Sequence, residues 1–154
     1  MPLKYKLGAV AIFGLAVGLY VLVDALVISD EELIEKFIKD VTGSIEPGYV
    51  DRTTSYVNFE RLPLDVRVLM HEISFAGVYD ASAADELKHI FSKNIGRFYG
   101  DELRVLGRTI DIKSDRADVE MTLLSARGMG RLIVALKMRK LDQKWWVEAV
   151  EIHR

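Results

Sequence analysis

The sequence predicts an α+β protein, with an N-terminal transmembrane helix followed by one domain that combines helices and a curved antiparallel sheet. Three observations lead to this fold class. An uncharged apolar run lies near the N-terminus, apolar residues at helical spacing follow it, and alternating apolar and polar residues fill the last third. With 154 residues, the chain has room for one domain of ordinary size beyond the apolar run.

The first predicted element is the apolar run, LGAVAIFGLAVGLYVLV at residues 7–23, which contains no charged side chain. Asp24 interrupts the run, and four apolar residues extend it to residue 28. A helix over residues 7–28 would be about 33 Å long, enough to cross a hydrocarbon core of about 30 Å. The alternative is a cleaved signal peptide, whose apolar region is usually only about 7–15 residues long. We therefore interpret residues 1–28 as a cytoplasmic stub and an uncleaved signal anchor.

The charges beside this helix predict its orientation. Lys4 and Lys6 precede it and acidic residues follow it, so the positive-inside rule places the N-terminus in the cytoplasm. Residues 29–154 would then form a periplasmic domain on a bacterial inner membrane, starting close to the bilayer. The chain contains no cysteine, which excludes disulfides, thiol catalysis and a lipoprotein anchor. The helix is therefore the only membrane tether that the sequence predicts.

Small residues form a stripe along one face of the predicted membrane helix. Ala11, Gly14, Gly18 and Ala25 follow one another at spacings of three, four and seven, and the two glycines form a GxxxG pair. Because small residues let two helices approach closely, the stripe predicts self-association or packing against a partner helix. The alternative is that glycine and alanine are simply common in membrane helices.

Residues 29–99 predict three helices and one extended segment. Ser29 and Glu32 form a capping box that opens a helix through about residue 45, with an apolar stripe on one face. The elements that follow are a short helix at residues 49–58, a strand or bulged strand at residues 64–79, and a helix at residues 82–99.

The last third predicts three or four long antiparallel strands. Val119, Met121 and Leu123 alternate with polar residues, which is typical of a strand with one face on a core and one face in solvent. Short polar turns separate the four runs, at residues 103–112, 117–125, 131–141 and 144–153.

The order helix, helix, strand, helix and long strands resembles the NTF2-like superfamily (also cystatin-like or SnoaL-like), in which a curved sheet wraps helices into a cone. The run QKWWVEAVEI at residues 143–152 resembles the last strand of that superfamily. The resemblance covers residues 29–153 and implies a cone that often encloses an apolar pocket. The layout of one anchor before the domain is also similar to VirB8-like subunits of type IV secretion machines, without a local signature of that family.

No metal site or cofactor is predicted, because the sequence has no H-x-x-x-H or H-E-x-x-H spacing and no carboxylate cluster that suggests a metal. No catalytic residue is predicted either, since His71 and its neighbour Glu72 would point to opposite faces of a strand and form no acid–base pair. In the pocket that the resemblance implies, His71 and Tyr79 are the candidates, since both belong to the extended segment. His89 projects from the polar side of its helix, and His153 is expected to fray. The glycine-rich run at residues 128–130 precedes no helix, so it predicts a hairpin turn rather than a phosphate site.

The third long strand carries a basic face that includes Arg131, Lys137 and Arg139. This face is a candidate for contact with lipid headgroups or an acidic partner; the alternative is a solvated face balanced by acids on neighbouring strands. Trp145 and Trp146 point to opposite faces of the last strand. The resemblance implies that the outer sheet face is a common dimer surface, so Trp146 is the interface candidate beside the basic strand.

Together these features predict a membrane-anchored, non-catalytic periplasmic domain that binds another protein or itself, or is a subunit of an envelope complex. A net charge of −2 argues against nucleic-acid binding. The alternative is a small-molecule binding protein, or an isomerase- or dehydratase-type enzyme, that uses the pocket of the cone. Fold alone does not decide between the two.

Overall fold

The structure is a computed structural model that describes residues 17, 19, 27–71 and 73–154. Val17 and Leu19 are helical and exposed. Most of the predicted membrane segment lies outside the described residues, including its whole small-residue stripe of Ala11, Gly14, Gly18 and Ala25. No helix within the described ranges is long and apolar enough to cross a membrane. The chain divides into two units, Met1–Leu33 and Ile34–Arg154.

Helix α1, Asp30–Val41, begins at the predicted capping box. The backbone N–H of Ser29 donates to Glu32 Oε2 at 2.8 Å, and the N–H of Glu32 donates to Ser29 Oγ at 3.2 Å. The helix ends at Val41 and not near residue 45, because Gly43 adopts a φ of 87°, which interrupts helical geometry.

Two further helices lie along the chain before the long strands. Helix α2, Tyr49–Thr54, is shorter than predicted. Helix α3, Ala84–Ile95, continues into a 3-10 turn at Gly96–Phe98. The apolar stripe of α3 faces the core as predicted, with Leu87 and Ile95 buried.

In the described part of the chain, seven strands form one sheet in the order β1-β4-β5-β6-β7-β2-β3. The four long strands form the predicted antiparallel meander, and β2 lies parallel to β7. Register shifts in β4 and β7 mark bulges, which increase the bend of a sheet. The strands are β1 Gly43–Ser44, β2 Leu64–Leu69, β3 Ser74–Tyr79, β4 Glu102–Lys113, β5 Arg116–Ser125, β6 Arg131–Leu141 and β7 Lys144–His153.

The segment predicted as one strand at residues 64–79 is a hairpin. Strands β2 and β3 pair antiparallel along their whole length, and the N–H of Met70 donates to the carbonyl of Ile73 at 3.0 Å across the turn. The sequence contains no glycine, proline or asparagine at this turn, so it lacks the residues that usually mark one. The prediction of a single strand was therefore wrong.

Candidate ligand cavity

The inner face of the sheet and the three helices enclose a cavity of about 230 Å³. Its wall receives side chains from all three helices and from every strand except β1. The strand contribution follows from alternation, since Leu132, Val134 and Leu136 of β6 all point inward. An engineered apolar cavity of about 150 Å³ holds one benzene, so this one is large enough for a small ligand.

Only four of the described lining residues carry a polar group, and each of the four donates a hydrogen bond to the backbone. The donors and their acceptors are Tyr49 Oη to Val41 O at 2.6 Å, Thr53 Oγ1 to Tyr49 O at 2.9 Å, Thr54 Oγ1 to Val50 O at 2.7 Å, and Asn94 Nδ2 to Ile90 O at 2.9 Å. Because these donors are occupied, the wall offers a ligand an almost wholly apolar surface.

Tyr49 is the one titratable side chain among the described lining residues. Burial raises the pKa of its phenol to about 12, although the nearby Arg52 guanidinium acts in the opposite direction. The hydroxyl therefore stays protonated at neutral pH. No described carboxylate, histidine, lysine or arginine lines the cavity.

Neither predicted pocket residue lies in the cavity wall. His71 is exposed in the turn after β2, because that strand ends before it. Tyr79 is buried on the inner face of β3, but a Cβ at Gly77 would lie 3.1 Å from its ring, so the ring covers the glycine. Glu72, the neighbour of His71, lies outside the described residues.

The other two histidines do not line the cavity either. His89 is exposed on α3, as expected from the polar side of its helix. His153 was expected to fray, but it is half-buried in β7, where it pairs with Leu69 of β2 and Ile133 of β6.

The two tryptophans point to opposite faces of β7, as predicted. Trp145 is buried on the inner face. Trp146 is half-buried on the outer face, opposite Arg139 of β6. Arg139 Nε lies 2.9 Å from Glu148 Oε2, so the two side chains form an ion pair. The angle at Nε is unsuitable for a hydrogen bond between these two atoms.

The basic face of β6 is interleaved with acids of the neighbouring strands. Lys137 is exposed and lies opposite Asp118 of β5, while Arg131 lies at the far end of the strand, opposite Leu124. A second depression of about 490 Å³ covers this outer face. Acids outnumber bases among its charged residues, which are Asp65, Arg67, Asp111, Asp118, Glu120, Lys137 and Glu151. No group of three metal-ligating side chains occurs in the described part of the chain.

A buried polar clamp at one end of the cavity was not predicted from the sequence. Asp101 accepts hydrogen bonds from the backbone N–H of Glu102 at 2.8 Å, from that of Arg127 at 3.0 Å, and from the hydroxyl of Ser125. Ser125 Oγ in turn accepts from the N–H of Met129 at 2.9 Å. The clamp thereby holds the β5–β6 loop so that Met129 lines the cavity.

The pKa of Asp101 reflects this geometry. Burial acts to raise it, but the hydrogen bonds from Ser125, Glu102 and Arg127 outweigh burial and hold the pKa below its ordinary value. One signal in the sequence points to the clamp: Ser125 is polar at an inward position that continues the apolar alternation of β5.

Comparisons with known proteins identify the fold. No family model matches the chain, and the comparison with curated proteins gives no match. A solved structure from Kribbella flavida is similar with a TM-score of 0.58 and 14% identity, covering 80% of this chain and 88% of its own. A protein of unknown function with a cystatin-like fold from Nostoc punctiforme gives 0.53 and 14%, covering 80% and 89%.

An NTF2-like protein of unknown function from Shewanella baltica is similar to the same degree, with a TM-score of 0.53 and 11% identity, covering 80% of this chain and 92% of its own. Because the sequence identity is this low, these structural similarities support the fold alone. They agree with the order of helices and strands and with the curved sheet. The described domain therefore has the NTF2-like, or cystatin-like, fold.

Proposed function

We propose that this protein is a non-catalytic binding domain whose cone holds a small apolar molecule. We further propose that residues 7–28 anchor it in a bacterial inner membrane with the domain on the periplasmic side. The observation that carries the binding role is the cavity wall, whose few hydrogen-bond donors are occupied by the backbone. Apolar walls of this kind favour apolar ligands.

The same wall speaks against an isomerase- or dehydratase-type enzyme. General acid–base catalysis needs a titratable group within hydrogen-bond reach of the substrate and with a pKa near the working pH. Tyr49 is the one titratable group in the described wall; its pKa is about 12, and its hydroxyl donates to the carbonyl of Val41. The described wall thus offers no base for proton abstraction.

Binding can be tested with benzene and two matched variants of β6. Val134→Phe adds bulk to the cavity wall, whereas Ile133→Phe adds the same group on the outer face. The full chain in phosphatidylcholine nanodiscs is titrated with benzene by ligand-observed NMR, and the signal of empty discs is subtracted. We expect saturable binding to the unmodified chain and to Ile133→Phe, and weaker binding to Val134→Phe. The absence of saturable binding to the unmodified chain would refute the binding role.

The membrane part of the proposal rests on the uncharged run at residues 7–23 and on Lys4 and Lys6 before it. Alkaline phosphatase and a green fluorescent protein, each fused to the C-terminus, report opposite sides of the inner membrane. We expect phosphatase activity, no fluorescence, and sedimentation of both fusions with membranes. A fluorescent fusion without phosphatase activity would contradict the periplasmic placement.

Self-association, or a place in an envelope complex, is a second candidate function. The observation that favours it is the outer side of the β2–β3 hairpin at one edge of the sheet, where Leu69 and Val78 are 52% and 68% exposed. Exposed apolar side chains on an uncovered strand edge are typical of protein contacts. Light scattering of the detergent-solubilised chain is expected to give more than a monomer mass, reduced by Val78→Lys but not by Ser92→Lys on α3. A monomeric unmodified chain would exclude self-association.

A further inference from the structure

We infer that the cavity binds the aliphatic chain of a single-chain amphiphile whose anionic head lies at the arginine-rich end of the cone. This inference rests on the proposed binding function and adds to it the length of the chain and the charge of the head. Three features of the structure carry it: the volume of the cavity, the location of its half-exposed wall, and the charges beside that wall.

The volume of the cavity sets the length of the aliphatic chain that fits in it. A cavity of about 150 Å³ takes the six carbons of benzene, so a cavity of about 230 Å³ takes about nine carbons in the same packing. A polar head inside such a wall would lose its hydrogen bonds to water without replacement, which costs several kcal/mol. The head must therefore remain at the opening.

The opening at the end of the strands is one of two half-exposed parts of the wall, and the charges beside it select it as the place of the head. It consists of Met70 and Ile73 beside the β2–β3 turn, Asn94 in the last turn of α3, and Ile152 at the end of β7. The wall near α2 is half-exposed too, at Val41, Thr53, Thr54 and Val57, but the guanidinium of Arg52 in that helix donates to the carbonyls of Asp40 and Ser44.

Three arginines follow or precede residues of this end of the wall, and we call them the arginine rim: Arg97, Arg127 and Arg154. Each arginine lies two residues from a residue of the cavity wall. Arg97 follows Ile95, Arg127 precedes Met129, and Arg154 follows Ile152. A Cβ at Gly130 would lie 3.1 Å from Arg154 Nη2, which places this guanidinium against the loop that carries Met129.

The charges of the arginine rim are not neutralised by the described residues. None of the three arginines makes an ion pair with a described residue, and all three are exposed. Three acids of this end that the structure describes are engaged elsewhere: Asp101 with backbone N–H groups, Glu102 with Arg104 at 3.1 Å, and Glu151 with Arg67 at 4.0 Å. An anionic head at this end would meet guanidinium groups that form no ion pair with a described acid, and guanidinium groups bind carboxylate and phosphate well.

The test compares ten-carbon probes that differ only in the head. Decanoate, decyl phosphate, decanol and decyltrimethylammonium are titrated against the full chain in phosphatidylcholine nanodiscs, with empty discs subtracted. A hydrogen-bonded charge at a half-open site is worth about 1.4 kcal/mol, or about tenfold in affinity. We therefore expect decanoate or decyl phosphate to bind about tenfold more tightly than decanol, with the cation weakest; the stronger anion identifies the head as carboxylate or phosphate.

Substitutions in the protein test the contribution of the anionic head to affinity separately from that of the aliphatic chain. Arg127→Gln with Arg154→Gln is expected to lower anion affinity to that of decanol and to leave decanol unchanged, whereas Arg116→Gln with Lys144→Gln should alter neither. Equal affinities for anions and decanol, or loss of anion preference in the control pair alone, would overturn the anionic head while leaving the binding function intact. If no ten-carbon probe binds although benzene does, the inference fails and the binding function stands; if benzene does not bind either, both fail.

Discussion

Replacing Asp101 with asparagine is expected to destabilise the domain by about 2 kcal/mol. The carboxylate is 3% exposed, and its Oδ1 accepts the N–H groups of Glu102 and Arg127, while its Oδ2 accepts the hydroxyl of Ser125. An asparagine oxygen can keep the two backbone bonds, but its amide group cannot accept the serine hydroxyl. The loss is one hydrogen bond to a charged group, worth about 1.5–3 kcal/mol.

Urea unfolding of the full chain in detergent micelles, followed by tryptophan fluorescence, measures this change. The pH dependence gives a second readout. Because the pKa of Asp101 is lowered in the folded state, its contribution to stability is present above the unfolded pKa of about 4 and is lost as pH falls through the lower folded value. The unmodified chain should therefore lose unfolding free energy below about pH 4, and Asp101→Asn should lose less.

Two controls decide whether the clamp is the cause. Asp115→Asn makes the same chemical change in the exposed β4–β5 turn and is expected to cost less than about 0.5 kcal/mol. Ser125→Ala removes the other partner, so its effect and that of Asp101→Asn should combine non-additively in the double variant. An Asp101→Asn cost no larger than that of Asp115→Asn, or full additivity with Ser125→Ala, would refute the reasoning.

Three further variants test the packing around the cavity. Gly128→Ala is expected to cost about 1–3 kcal/mol in the same unfolding assay, because its Cβ would lie 2.9 Å from Phe98 Cδ1; no loss would contradict this contact. Ile45→Ala should cost about 2–5 kcal/mol, since Ile45 is fully buried, and a cost below about 1 kcal/mol would contradict its core position. Tyr49→Phe should remove one tyrosine with a pKa of about 12 from an ultraviolet pH titration; an unchanged titration would contradict the buried phenol.

Local patterns predicted most of the elements correctly. The capping box of Ser29 and Glu32 placed the start of α1, and alternation placed the inner face of β5 and β6, because both signals depend on residues close together in sequence. The end of α1 was misplaced, since apolar spacing continues to Ile45 although Gly43 ends the helix. Ile45 is buried all the same, through pairing of its backbone with the chain at Asp101.

The candidate site was less predictable. His71 and Tyr79 were chosen because they lie in one extended segment, yet a turn separates β2 from β3 and leaves His71 outside the wall. Met129 reaches the cavity from a loop, where no periodicity marks an inward residue. Asn94 lies at helical spacing from Leu87 and Phe91, but its polar side chain hides it in a search for apolar residues. The Asp101–Ser125 clamp joins residues from two strands, so only their pairing brings them together.

By itself, the sequence determined the α+β class, the four long strands, the opposite directions of Trp145 and Trp146, and the expectation of a membrane helix at residues 7–28. Each of these follows from periodicity or from the uncharged run, which are properties of neighbouring residues. Tertiary structure alone decided the parallel pairing of β2 with β7, the apolar cavity and the clamp of Asp101 with Ser125. These depend on which distant segments meet, and that is fixed by the burial of the whole core rather than by any local pattern.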